Sequence, residues 1–157
     1  MKAKKRNYTL HWTEATPYKC WVVYVAGPNV AGAMKELDRN FKLDDEDIAS
    51  GCPKMSEYLI PEIEDATPSG RDAGRFFWHT KLNNIVIYFP SMNPKLSTLG
   101  HELYHAVRRI SRKKRLENDH DEAEAYLFER AFEYFAGKIE EDCRAMAGAE
   151  QDKGGRK

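Results

Sequence analysis

The first third of the chain contains one continuous apolar run and one helical repeat, which together predict a strand followed by a helix. Residues 20–26 are rich in β-branched and aromatic side chains and end at Gly27-Pro28, a pattern typical of a buried strand that leads into a turn. Apolar residues then recur every three or four positions over 29–42, and Asn29 can cap the first turn. This second segment predicts an amphipathic helix.

The middle of the chain predicts a β-hairpin after a long connection. Residues 75–80 and 84–89 are rich in aromatic and β-branched side chains and flank a short segment that begins at Lys81. The preceding residues, 43–74, carry an acidic run together with several prolines and glycines. We expect this connection to be partly irregular, with local order only at 57–60.

Two long helices are predicted in the second half of the chain. Asn93-Pro94 is a favourable helix start, and apolar residues follow it at helical spacing to about residue 114. After a break near 118–119, a second helix with an apolar face is expected to end near Arg144. The whole pattern predicts one α+β domain over 1–147 and a disordered tail over 148–157, which has no large apolar side chain.

Composition narrows the class of protein. The 157 residues include 25 basic and 25 acidic ones, and a net charge of zero argues against a chain-wide attraction to nucleic acid or to an anionic membrane. Three cysteines without a CxxC motif indicate neither a disulfide framework nor a thiolate zinc site. No segment has the apolar length of an export signal or a membrane span, so we expect a soluble, cytoplasmic protein.

Residues 101–105, HELYH, carry the main chemical signal and lie inside the predicted helix 94–114. A spacing of four residues places His101 and His105 on one face, where two imidazole nitrogens can bind one metal ion. Catalytic zinc sites use three protein ligands and leave a fourth position for water, on which Glu102 can act as a general base. Chance would supply only about 0.015 such motifs in a chain of this composition. The motif therefore predicts a hydrolytic zinc site.

The third zinc ligand has to come from beyond the motif. The extended pattern HExxHxxGxxH is excluded, because Arg108 and Ser111 occupy its glycine and histidine positions. Nearby, Asp119 and Asp121 are acceptors that can hold the N–H groups of metal ligands. The same segment offers three candidate ligands, which are His120, Glu122 and Glu124. The two glutamates project in nearly opposite directions on a helix, so they cannot both bind one ion.

The combination of HExxHA with a following DEAxAY segment resembles the glutamate-zincins, metallopeptidases in which a second helix donates a carboxylate ligand. Within that group it is most similar to the small HExxH proteins of tailed bacteriophages, and the similarity covers 75–135. The resemblance implies a zincin-like fold, with a small mixed or antiparallel sheet, an active-site helix and a ligand-donating helix. It also implies a Zn²⁺ cofactor with Glu122 as third ligand. Tyr126 stands where the family has an aspartate.

The resemblance further implies a zinc metallopeptidase that cleaves a peptide or protein substrate, with Glu102 as the catalytic base. It places strand 84–89 at the sheet edge, where an extended peptide could pair with it. If the protein is encoded by a phage, it would act in the host cytoplasm. One alternative is a metal-binding sensor or assembly factor of the same fold without peptidase activity. Another is a nucleic-acid-binding module, which the zero net charge disfavours; no membrane partner is expected.

Several other residues near the motif have structural explanations as well as functional ones. His79 and Tyr104 could stabilise an oxyanion, although aromatic packing explains both equally well. Cations crowd the end of the predicted helix, where the helix dipole favours them, and some of them continue the face of the two histidines. These cations are Arg108, Arg109, Arg112, Lys113, Lys114 and Arg115.

Overall fold

The computed structural model describes residues 7–16, 18–66, 74–113 and 121–154, except for the side chains of 64–66, 121 and 149–154. Within those residues the protein is an α+β fold with one four-stranded mixed sheet and five helices, which confirms the predicted class. In chain order the elements are β1 (Thr9–Glu14), β2 (Trp21–Ala26), α1 (Val30–Asn40), α2 (Asp45–Ala49), α3 (Met55–Ala66), β3 (Arg75–His79), β4 (Asn84–Phe89), α4 (Leu96–Lys113) and α5 (Asp121–Gly154).

The sheet has the strand order β1-β2-β4-β3, with β2 and β4 parallel and both outer pairs antiparallel. This arrangement confirms the predicted strand at 20–26 and the predicted hairpin. It places β4 inside the sheet, so the expectation that strand 84–89 forms the edge is wrong. All six residues of β4 are buried, and a strand that is apolar on both faces needs neighbours and helices on both sides. The edge beside β4 is β3.

Helices cover both faces of the sheet. Because successive side chains of a strand point to opposite faces, β2 and β4 contribute to two separate cores. The core under α4 and α5 takes Val22, Tyr24, Ile85, Ile87 and Phe89 from these strands. The core under α1 and α3 takes Val23, Val25, Val86 and Tyr88. The helix that carries HELYH is therefore packed on one face of a two-sided sheet.

The connection at 43–74 is more ordered than its composition predicts. It contains α2 and α3, whereas the pattern predicts local order only at 57–60. α3 buries Met55, Leu59 and Ile63, whose spacing of four residues places them on one face of the helix. Pro61 lies within α3 at an exposed position. The prediction fails here because the prolines and glycines conceal a short apolar repeat.

β1 is an edge strand that the sequence pattern did not single out. Its side chains are mostly half-buried, as expected where only one neighbour covers a strand. Leu10 and Trp12 alternate with polar residues and pack toward α1 and α3. That period of two is the signal that indicates a strand here.

The ends of the two long helices differ from the predicted ones. α4 begins at Leu96, slightly after the predicted start at Pro94. α5 continues to Gly154, through most of the tail predicted to be disordered. The residues after Arg144 are mainly good helix formers, and extending an existing helix needs no new nucleus. Residues 155–157 lie outside the described residues, and within those described no helix combines the length and the hydropathy needed to cross a bilayer.

Candidate metal centre

α4 presents the two motif histidines on its solvent face. The opposite face of the helix buries Leu103, Ala106 and Ile110 in the core beneath α4 and α5. This apolar stripe fixes the rotation of the helix about its own axis. His101 and His105 consequently point away from the core, and both are exposed.

The imidazoles of His101 and His105 meet one helical turn apart, as the HExxH spacing predicts. Their Nε2 atoms are 3.1 Å apart, and their ring planes form an angle of 85°. The distance suits a hydrogen bond between one protonated and one unprotonated nitrogen. It also suits a shared ion, because a zinc about 2.05 Å from each nitrogen would subtend about 98° between them, close to the tetrahedral angle. The pair therefore fits as two ligands of one metal ion.

Glu102 lies beside the pair in a partly enclosed position. Its side chain is only 9% exposed, in contrast to the two histidines. An open depression in the surface is lined by both Glu102 and His101. The other residues around it are Gly74, Arg75, Ser97 and Thr98. The structure thus brings the predicted base and one predicted ligand to the same depression.

Gly74, immediately before β3, is a contributor to this depression that sequence reasoning missed. A Cβ atom at this position would lie 2.6 Å from Cγ of Glu102 and 2.5 Å from Cε1 of Phe89. Both distances are shorter than van der Waals contact, so only glycine leaves these side chains where they are. The sequence offered just one signal, a glycine directly before a predicted strand, which commonly marks close approach of the backbone to a neighbour.

We expect Gly74→Ala to destabilise the protein by about 1–3 kcal/mol, because the added methyl group overpacks the contact with Glu102 and Phe89. Chemical denaturation measures the effect. The matched control is Gly137→Ala in α5, where an added Cβ meets nothing within 4 Å and helix propensity alone should stabilise the protein slightly. Equal stabilities for Gly74→Ala and the wild type would contradict the close approach.

β3 adds an aromatic wall next to the histidines. The ring of Phe76 stacks with that of His105, with 6.5 Å between centroids and 30° between planes. Phe76 and Trp78 alternate along β3 and both pack toward the core under α4. β3 is thus both the sheet edge and the strand that flanks the candidate site.

The packing of α4 against α5 fixes which part of α5 faces the histidines. A Cβ at Gly100 would lie 3.6 Å from the ring of Phe132 and 3.9 Å from that of Phe128. Farther along α4, Nη1 of Arg108 lies 3.4 Å from Oε2 of Glu124. The two helices therefore run antiparallel, and residues before Glu124 lie level with the last turns of α4.

No third ligand joins the histidine pair within the part of the chain that the structure describes. Glu122 is exposed in the first turn of α5, beyond the level of Arg108 from the histidines. Glu124 is engaged with Arg108. Over the described ranges, no group of three or more His, Cys, Asp or Glu side chains is arranged to hold a metal. His120 and Asp119 lie outside these ranges, as does the side chain of Asp121.

Comparisons with family models, with curated proteins and with solved structures find no match to this chain. Its function therefore has to be inferred from its own residues.

The two candidates for oxyanion stabilisation are placed differently. His79 is buried on the other face of the sheet, where its Nδ1 accepts from the Leu82 amide and its Nε2 donates to the Pro53 carbonyl. Both ring nitrogens are hydrogen-bonded to main-chain groups, so His79 is not part of the candidate site. Tyr104 is 55% exposed, and its ring lies 6.1 Å from that of His105. Tyr104 therefore stays next to the histidine pair.

The basic end of α4 packs mostly against the protein itself. The Arg109 guanidinium and the Lys113 ammonium lie 5.7 and 4.5 Å from the ring centroid of Trp78. Lys113 also donates to Oδ1 of Asn83 at 3.1 Å. Cation–π contacts of this kind account for both cations without nucleic acid. Lys114 and Arg115 lie outside the described residues.

Proposed function

We propose that this protein is a zinc-dependent metallopeptidase of the zincin type, in which His101 and His105 bind Zn²⁺ and Glu102 is the catalytic base. One observation carries the proposal. Two histidine nitrogens 3.1 Å apart on a solvent-facing helix adjoin a depression that also contains an almost buried glutamate. A metal, a base and an open approach for substrate are what hydrolysis by activated water requires.

Each side chain has a defined task in this proposal. When bound, zinc would supply Lewis acidity, which lowers the pKa of water toward about 7 and polarises a carbonyl oxygen. The Glu102 carboxylate accepts the proton of the attacking water and delivers it to the leaving amine. The close approach of Gly74 to Cγ of Glu102 restricts the rotamers of this side chain, which favours one position of its carboxylate before substrate binds.

β3 supplies the binding edge for a peptide substrate. The resemblance to zincins implied this role for strand 84–89, but β3 is the outermost described strand on that side of the sheet and flanks the site. An edge strand presents N–H and C=O groups that hold an extended peptide by its main chain, whatever its sequence. Substrate would therefore lie along β3, with its scissile bond near Glu102.

Glu122 is the third ligand that we propose, on the basis of the family resemblance. Glu124, the other glutamate of the segment, is committed to Arg108. We expect Glu122→Ala to weaken zinc binding by on the order of tenfold or more, and Glu124→Ala to change it much less. Competition with a zinc-sensitive dye measures both affinities. The reverse ranking would assign the ligand to Glu124, and no effect of either substitution would exclude both.

The alternative function, metal binding without peptidase activity, is favoured by one observation. Within the described residues only two ligand side chains meet, which is fewer than a catalytic zinc site uses. Two measurements separate the alternatives. Zinc titration of the full chain should give one bound ion per molecule, and incubation of the loaded protein with a peptide library should give new termini. Binding without any cleavage would support the alternative.

A further inference from the structure

β3, the outermost described strand on this side of the sheet, lies beside α4, and side chains of both elements meet along their border. We name this border the β3–α4 groove and define it by the side chains that β3 and α4 contribute to it. At one end is the depression that contains Glu102. In the middle Phe76 stacks on His105, and at the other end two cations lie over Trp78. Among the described strands, only β4 pairs with β3.

The two ends of the groove differ in charge. Glu102 lies at one end together with Arg75, and the last turns of α4 bring Arg109, Arg112 and Lys113 to the other, where all three are exposed. Lys113 donates to the neutral amide oxygen of Asn83, so this contact leaves its charge uncompensated. An occupant of the groove thus meets three cations at the Trp78 end.

The length of the groove can be measured in residues of an extended peptide. From Gly74 to Trp78, β3 advances four residues, which corresponds to about 13 Å at about 3.3 Å per residue. A peptide paired with β3 advances at the same rate. A side chain near Trp78 is therefore about four residues from the peptide bond that lies beside Glu102.

We propose that the β3–α4 groove selects extended peptides that carry an Asp or Glu side chain about four residues from the bond to be cleaved. This inference rests on the proposed peptidase function, since Glu102 marks the position of the scissile bond. The carboxylate meets Arg109 and Lys113, both of which are already oriented by Trp78. An apolar side chain between the two positions packs on Phe76. Main-chain pairing to β3 supplies affinity, and the cations supply specificity.

The groove favours a peptide over a nucleic acid. A sheet edge offers backbone hydrogen bonds that an extended peptide matches in spacing, whereas a phosphate backbone does not. The face of Trp78 is covered by Arg109 and Lys113, so it offers no open platform for stacking a base.

Binding of labelled peptides tests the proposal without relying on turnover. The full-length Glu102→Gln protein, loaded with zinc, is titrated with fluorescent decapeptides that differ only in carrying Glu or Lys at one position. The Glu peptide should bind about tenfold more tightly than the Lys peptide, and this preference should weaken as salt increases. The Arg109→Glu/Lys113→Glu double variant should reverse the preference, and Arg109→Gln/Lys113→Gln should abolish it.

The matched control is Lys35→Glu/Arg39→Glu, which makes the same charge change on exposed positions of α1, across the sheet from the groove. It should leave the preference intact. The proposal is overturned if the Glu and Lys peptides bind equally, if the control variant reverses the preference as well, or if a single-stranded oligonucleotide binds more tightly than the Glu peptide. Thermal denaturation of each variant verifies that it is folded.

The same set of peptides tests the selectivity of the groove and the peptidase function separately. A preference for Glu in binding, with no peptide cleaved by the wild type, supports the groove and overturns the peptidase proposal. Cleavage of Glu and Lys peptides at equal rates supports the peptidase proposal and overturns the selectivity of the groove. Cleavage of the Glu peptide alone, about four residues from the acidic side chain, supports both.

Discussion

Replacing Glu102 with glutamine is expected to reduce peptide hydrolysis by on the order of 10²–10⁴-fold while the protein still binds zinc. The amide has nearly the same size and fits the same close approach to Gly74. It cannot accept a proton as the carboxylate does, so the loss should appear in kcat rather than in KM. Initial rates on a cleavable peptide and zinc content by elemental analysis measure the two effects.

Glu133→Gln is a suitable control for this experiment. Glu133 is an exposed glutamate of α5, so the substitution removes the same charge away from the depression. Its activity should match that of the wild type. Normal turnover by Glu102→Gln would end the assignment of Glu102 as the base, and loss of zinc from this variant would indicate that Glu102 serves the metal site instead.

Removing either motif histidine is expected to abolish stoichiometric zinc binding. Both rings are exposed on α4, so His101→Ala and His105→Ala remove little buried area and should leave the fold intact. Each leaves a single imidazole where two now converge, and we expect zinc affinity to fall by on the order of 10²-fold or more. Isothermal titration of the metal-free proteins measures this change, and thermal denaturation verifies the folding of each variant.

His11 provides the matched histidine control. It lies on β1, and its Nε2 is 2.8 Å from Oδ2 of Asp142, outside the candidate site. His11→Gln should bind one zinc with wild-type affinity. Wild-type zinc stoichiometry in His101→Ala would contradict the proposed centre, and loss of zinc in His11→Gln would point to a second, unrecognised metal site.

The elements that the sequence predicts well are those defined by short-range patterns. The run at 20–26 is apolar on both faces, and the hairpin strands flank their own turn, so each is readable without knowledge of the rest of the chain. α3 is different, since Gly51 and Pro53 precede it and Pro61 lies within it, although Met55 and Leu59 share a buried face. Neither the sheet order nor the position of β4 inside it is encoded locally. Both depend on pairing between strands that are far apart in the sequence.

In the candidate site, too, some features follow from local sequence patterns and others depend on long-range packing. The approach of His101 to His105 follows from helical geometry alone, so four residues of spacing were enough to predict it. The environment of Glu102 depends on Gly74, which comes from a different part of the chain. Because glycine has no side chain, the sequence gives no chemical signal that it lies beside Glu102. The identity of the third ligand depends on how far α5 is shifted along α4. That shift is set by contacts such as Gly100 with Phe132, which no sequence motif records.

The parallel pairing of β2 with β4 has a consequence for how the molecule assembles. The two strands are separated by about sixty residues, so their alignment requires closure of a large loop, which is a slow step in folding. β3, β4 and α4 instead follow one another within 74–113, and this segment contains Gly74, Glu102 and both histidines of the proposed centre. Apart from Glu122, the residues of the proposed centre thus belong to a segment with short sequence separations, and the strands that pair over long range support it from behind.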